Sequence, residues 1–140
     1  MNEQRLMKII EDMSESVDNI RTCRGLIDKR ENDEMTPFVI YGLKQIFVDF
    51  FIKVEDFNSL MLKELRKFKI GIDMKESLNI LKQNQVIDEE KYIFLNEARL
   101  IRNRISHRYK EPSKEELLGF IGANIDCFES VLSMVKNYLS

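Results

Sequence analysis

The sequence is poor in the residues that build turns, cross-links or metal sites. Its 140 residues include five Gly and two Pro, too few to punctuate a sandwich or barrel of many short strands. Two distant cysteines, Cys23 and Cys127, and a single histidine, His107, cannot furnish four protein ligands at any usual zinc spacing, so no metal is expected. The longest apolar runs, such as Phe38 to Tyr41, are four residues, far short of the roughly 20 that cross a bilayer. No membrane association is therefore expected. The opening Met1-Asn2-Glu3-Gln4-Arg5 lacks the apolar stretch of a signal peptide, which points to a cytoplasmic chain with reduced thiols. Nor is one sign of charge in excess. Twenty-two basic residues against 24 acidic ones leave −2, excluding a globally basic nucleic-acid coat.

What is present is helical pattern. With 44% hydrophobic and 33% charged residues, the chain reads as a single soluble domain over residues 1–140, long enough to bury roughly 70% of its extended surface. Leu6, Ile10, Met13, Val17, Ile20 and Ile27 recur at steps of three and four, which predicts an amphipathic helix from about Asn2 to Arg30. Glu31 to Glu34 reads as a hydrated connector. Thr36-Pro37 predicts the next start, threonine capping the free amides and proline fitting the first turn. The most apolar segment follows. Phe38, Ile40, Leu43, Phe47, Phe50, Phe51, Val54 and Phe57 cover more than one helical face, so this helix is expected to lie centrally, or to face both a core and a partner subunit. Its pattern runs on through Leu60, Leu65 and Phe68, with Gly71 as the stop.

Asp73 is placed to cap a short helix carrying Leu78, Ile80 and Leu81. Asp88 is placed to cap another, with Glu89 and Glu90 in the first turn where the helix dipole favours acids, running to about Tyr109. Pro112 ends it. Ser113-Lys114-Glu115-Glu116 forms a capping box that opens a last helix through Leu117, Phe120, Phe128, Val131 and Leu139. No segment alternates with period two. The expected fold class is all-α, an antiparallel bundle of four long helices plus a short one.

One stretch departs from the mildly acidic background. Arg99, Arg102, Arg104, Arg108 and Lys110 surround His107 with no acid among them. By charge alone this fits either a phosphate-binding edge or a solvated basic face near a helix C-terminus. The order of residues carries more. Arg102-Asn103-Arg104-Ile105-Ser106-His107-Arg108-Tyr109 resembles the signature of the HEPN superfamily: an Arg, a polar residue beside it, and a His four to six positions after the Arg. Asn103 and Tyr109 bring it to the Arg-x4-His-x-Tyr form of the HepT-like branch. The stretch from Glu76 to Tyr109 is similar to that branch as well. Residues 1–70 match only in helical pattern, and Lys110 stands where many relatives carry an aromatic.

The resemblance implies a HEPN-like helical domain acting as a metal-independent endoribonuclease, for which no cofactor is expected. Typically such a chain is the toxin of a toxin–antitoxin pair whose antitoxin is a minimal nucleotidyltransferase. It implies His107 as the acid–base group, Arg102 as the transition-state clamp and Asn103 as an orienting residue. Tyr109 is the position to which the partner would attach a nucleotide, silencing the toxin. Arg99, Arg104, Arg108 and Lys110 are then expected to hold RNA phosphates. The residue types suit the chemistry independently. RNA carries its own nucleophile, the 2′-hydroxyl, so cleavage needs a proton acceptor and donor, for which histidine is suited near neutral pH. It also needs stabilisation of phosphorane charge, which arginine's fixed donors supply.

Geometry adds a constraint. Five residues at about 100° each separate Arg102 from His107 by roughly 140° on a regular helix. Either the helix ends before His107 or a second subunit completes the site, two copies meeting at a two-fold with two His and two Arg in one cleft. A second reading stays open. Some HEPN-like chains present substrate or nucleotide to a neighbouring nucleotidyltransferase without cleaving RNA, and Arg-Asn-x-x-Ser-His-x-Tyr occurs there too. A bundle used only for assembly is the third.

Overall fold

Steps of three and four in the apolar pattern become helices throughout. The structure, a computed structural model, describes residues 1–29, 33–107 and 110–139. Among them every regular element is a helix: α1 (Glu3–Lys29), α2 (Thr36–Glu64), α3 (Met74–Gln83), α4 (Glu89–Ser106), α5 (Lys114–Ala123) and α6 (Ile125–Lys136). The all-α expectation holds.

α1 and α2 form an antiparallel hairpin whose register shows in its ion pairs. The Met1 ammonium lies 3.4 Å from Glu64, and Lys53 lies 3.4 Å from Asp12. α4 runs antiparallel to α2 on another side: Arg102 meets Glu55 at 3.1 Å, and Glu111, just past α4, meets Lys44 at 2.6 Å. α3 folds back on α4, where Tyr92 donates its hydroxyl to Asn79 at 2.7 Å. Asn58, buried within α2, donates to Ser77 Oγ at 3.2 Å and fixes α3 against α2.

The many-faced apolar content of α2 places it centrally, as expected. Leu43, Phe47, Phe50, Phe51, Val54 and Phe57 are all buried within the single chain, whereas Phe38 and Tyr41 at the start of α2 are exposed. Phe128 of α6 is the hub of an aromatic cluster. Phe50 and Phe94 approach its ring at 4.9 Å between centroids, Phe47 at 6.2 Å and Phe120 at 6.5 Å. Those rings come from α2, α4 and α5, so one side chain ties four helices, each buried ring contributing about 2–3 kcal/mol by area.

The caps at Asp73, Asp88 and Ser113 form as expected, each side chain accepting the amide three residues on. Other boundaries differ. Thr36 is not the cap of α2: the carboxylate of Asp33 accepts the amides of Met35 and Thr36, at 2.9 and 3.0 Å, and the Thr36 hydroxyl. An ionised oxygen outcompetes a hydroxyl for orphan amides. α2 stops at Glu64 rather than at Gly71, because Arg66 turns left-handed at φ 59° and the amides of Arg66 and Lys67 return to Lys63 and Leu62, closing a Schellman motif. The expected last long helix is two, α5 and α6, bent by 57° at Asn124, whose side chain donates back to the Phe120 carbonyl at 2.8 Å. Competition of an Asn amide for helix carbonyls accounts for the break. No single helix among the described residues is long and apolar enough to cross a membrane.

Candidate active site

The basic stretch is carried by the second half of α4 and the segment that follows it. α4 is anchored at its start by Asp88 and in its middle by the buried Phe94, Leu95 and Ala98. Its last turn therefore projects from a fixed base. The helix ends at Ser106, not near Tyr109. His107 is its C-terminal cap, in extended conformation at φ −104° and ψ 91°, with its amide donating to the Asn103 carbonyl at 3.1 Å. Ser106 donates its hydroxyl to the Arg102 carbonyl at 3.2 Å, a back-bond that competes with regular helix continuation. Regular helix thus stops before the histidine, so the 140° separation of a continuous helix does not apply to His107. His107 and Asn103 are exposed, and Arg102 is half-buried. Arg108 and Tyr109 lie outside the described residues.

Arg102 points to the side of α4 that faces α2 and α3. Its Nη2 lies 3.1 Å from Glu55 Oε1, and its guanidinium carbon lies 5.9 Å from the centroid of the Phe51 ring. By distance this is an ion pair, yet buried Arg102 Nε and Glu55 Oε1 complete no hydrogen bond, so the fork is not aligned bidentately. Arg99, Arg102 and Asn103 come together in the wall of one cleft of about 430 Å³, which Phe51 and Glu55 of α2 and residues 72–75 ahead of and within α3 complete. Arg99 donates Nε and Nη2 to Asn96, one turn back on its own helix, at 3.1 and 3.0 Å. His107 is not among the residues that line this cleft.

Arg104 is engaged within the chain. Its Nε donates to the Lys110 carbonyl at 2.9 Å, and its two terminal nitrogens donate to Glu116 at 2.6 and 3.2 Å. The planar fork of arginine matches a carboxylate in this way, and the pair holds the carboxyl of Glu116 down to about 2. Glu116 closes the Ser113 capping box with the same group. Arg104 thus clamps α4 to Lys110 and α5. Lys110 is exposed, its amide donating to the His107 carbonyl at 2.8 Å. Together with the Lys44–Glu111 pair and the buried Pro112, the clamp fixes both sides of the segment that carries His107.

Among the described residues, no group of three or more His, Cys, Asp or Glu side chains is arranged to hold a metal ion. Sequence pattern did not reveal Glu55, which lies two helices before Arg102 and meets it only through tertiary packing. Nor did it reveal Lys75, which lines the same cleft from α3.

Residues 10–135 match the model of the HepT-like family, described as ribonuclease HepT-like. No curated protein matches the sequence. The fold is similar to that of YutE, a cytosolic protein of unknown function from Bacillus subtilis. The two share 15% identity at a TM-score of 0.67, over 92% of this chain and 89% of that one.

Proposed function

This chain belongs to the HepT-like ribonuclease family, and on that premise we propose that it is a metal-independent endoribonuclease acting through Arg102, Asn103 and His107. One observation carries the reading: α4 stops at Ser106, leaving His107 exposed at the end of the helix whose last turns hold Arg102 and Asn103. In the proposed reaction one imidazole takes the proton of a 2′-hydroxyl, and that oxygen attacks the adjoining phosphorus. The bond to the 5′-oxygen breaks and a second imidazole returns a proton to it, leaving a 2′,3′-cyclic phosphate and a 5′-hydroxyl. Arg102 donates to the non-bridging oxygens as negative charge accumulates there. Asn103 sits beside Arg102 on the exposed edge, in position to orient the phosphate.

Separate acid and base are needed at once, and the chain has one histidine. A homodimer supplies two. The core phenylalanines of α2 are buried inside the chain, and the contact proposed is the apolar stripe that α4 leaves outside. Ile93 and Leu100, two turns apart on one face, are about half exposed. In this reading the partner in the cell is a minimal nucleotidyltransferase that silences the toxin by attaching a nucleotide to Tyr109.

Expression of the wild-type chain alone, beside His107→Ala and Arg102→Ala, tests the nuclease. Growth arrest and RNA cleavage are expected with wild type and absent from both variants, each soluble and with unchanged helix content. Harmless wild type with intact RNA would favour the non-catalytic subunit that presents nucleotide or substrate to the transferase.

A further inference from the structure

The cleft against α4 holds more positive charge than its acids neutralise. Lys75 of α3 and Arg99 and Arg102 of α4 line it, with Asp73 and Glu55 as the acids and Asn103 at its edge. Asp73 is engaged as the cap of α3, accepting the Glu76 amide at 2.7 Å. Glu55 faces Arg102 at 3.1 Å. The hydrogen bonds of Arg99 go to a neutral amide, Asn96, and Lys75 is exposed with no ion pair among the described residues. Lys75 and Arg99, from α3 and α4, thus line one opening in which three cations meet two carboxylates.

We infer that this cleft is a backbone subsite for single-stranded RNA, in which Lys75 and Arg99 hold the phosphodiester adjoining the one that Arg102 clamps. The inference rests on the ribonuclease reading and extends it to how the strand is held. The lining favours a phosphate over a base. The one aromatic in the wall, Phe51, is only 1% exposed, so it offers no ring face for stacking, which is what a base-reading site requires. Charge without stacking positions a strand and leaves its sequence unread. Arg102 lies in the wall of the cleft and in the motif alike, which places a neighbouring phosphate within the same run of strand. Asn58 and Ser77 fix α3 on α2, so Lys75 is presented from a rigid element.

The test is the affinity of an uncleavable, fully 2′-O-methylated RNA oligonucleotide for wild type and Lys75→Gln, measured over a range of salt. Lys29→Gln is the control, an exposed cation at the other end of the α1–α2 hairpin. K75Q is expected to weaken binding several-fold for every sequence tried and to make the plot of log affinity against log salt shallower by about 0.7, the value for one phosphate contact on a single strand. K29Q should match wild type. Tight wild-type binding that K75Q leaves unaltered in strength and salt slope would overturn the subsite while the nuclease reading stands. No wild-type binding at all would overturn both. Weakened binding of ATP with unaltered binding of RNA would make the cleft a mononucleotide site and overturn the inference.

Discussion

Glu55 lies against Arg102, the proposed clamp, without belonging to the motif. Arg102 rests against it at 3.1 Å and over Phe51, and both ionic side chains are about a third exposed. Solvent screens such a pair, so its net worth is small, about 1 kcal/mol or less. Its greater effect is on direction, because a guanidinium without Glu55 has the Phe51 face alone to hold it. Glu55→Gln keeps the size of the side chain and removes the charge. The expected result is a loss of about 1 kcal/mol in urea unfolding, together with at least about a tenfold fall in kcat and little change in KM, since misplacing a transition-state donor costs turnover rather than binding. Glu55→Asp should recover part of that turnover. An unaltered kcat in E55Q would show that Glu55 balances charge and does not position Arg102. This residue also marks the limit of sequence reading at the site. Arg102, Asn103 and His107 form a local string with a recognisable order, whereas Glu55 is brought to them by the register of α2 on α4, which no local pattern encodes.

Helix ends show the same division between what is local and what is not. Asp73, Asp88 and Ser113 were legible because a cap needs one polar side chain and an amide three residues on. The left-handed ends were not, since neither carries the glycine that usually announces them. After α3, Gln85 adopts φ 60°, and the amides of Gln85 and Val86 return to Lys82 and Leu81. Val86 and Ile87 are buried immediately beyond. Their burial holds the chain in this turn against the cost of a side chain at positive φ, about 1 kcal/mol. Gln85 is itself exposed, so removing its side chain forfeits no packing. Gln85→Gly is therefore expected to stabilise the protein by about 0.5–1 kcal/mol, read as a higher urea midpoint at unchanged m-value. A lower midpoint would mean that the extra freedom glycine gives the unfolded chain exceeds the strain relieved. The break at Asn124 belongs with these ends, because Leu117, Phe120, Phe128 and Val131 keep helical spacing across it and only the side-chain amide diverts the backbone.

On the scale of the molecule, the bundle leaves two needs of the proposed reaction open. Stopping α4 at Ser106 takes His107 out of the helical register but not into the cleft that Arg102 lines, and one chain has one imidazole for the two proton transfers proposed. The proposed two-fold supplies the second. α4 carries the proposed site and exposes Ile93 and Leu100 on one stripe, so a contact along that stripe would set two copies of α4 side by side, with each Arg102 on the far side of its helix, against α2 and α3, while Phe47, Phe50 and Phe51 stay in the monomer core. Leu100→Glu separates folding from assembly, because the side chain is 49% exposed in the chain and its replacement leaves the aromatic cluster around Phe128 untouched. Light scattering is expected to give twice the chain mass for wild type and the single mass for L100E. The variant should retain its helical circular dichroism and lose RNA cleavage at concentrations where wild type is active. A wild-type monomer with full cleavage would remove the need for a second imidazole and require an acid–base partner from within the chain. A dimeric and active L100E would leave the two-fold standing and move it off the Ile93–Leu100 stripe, towards the exposed Phe38 and Tyr41 at the start of α2.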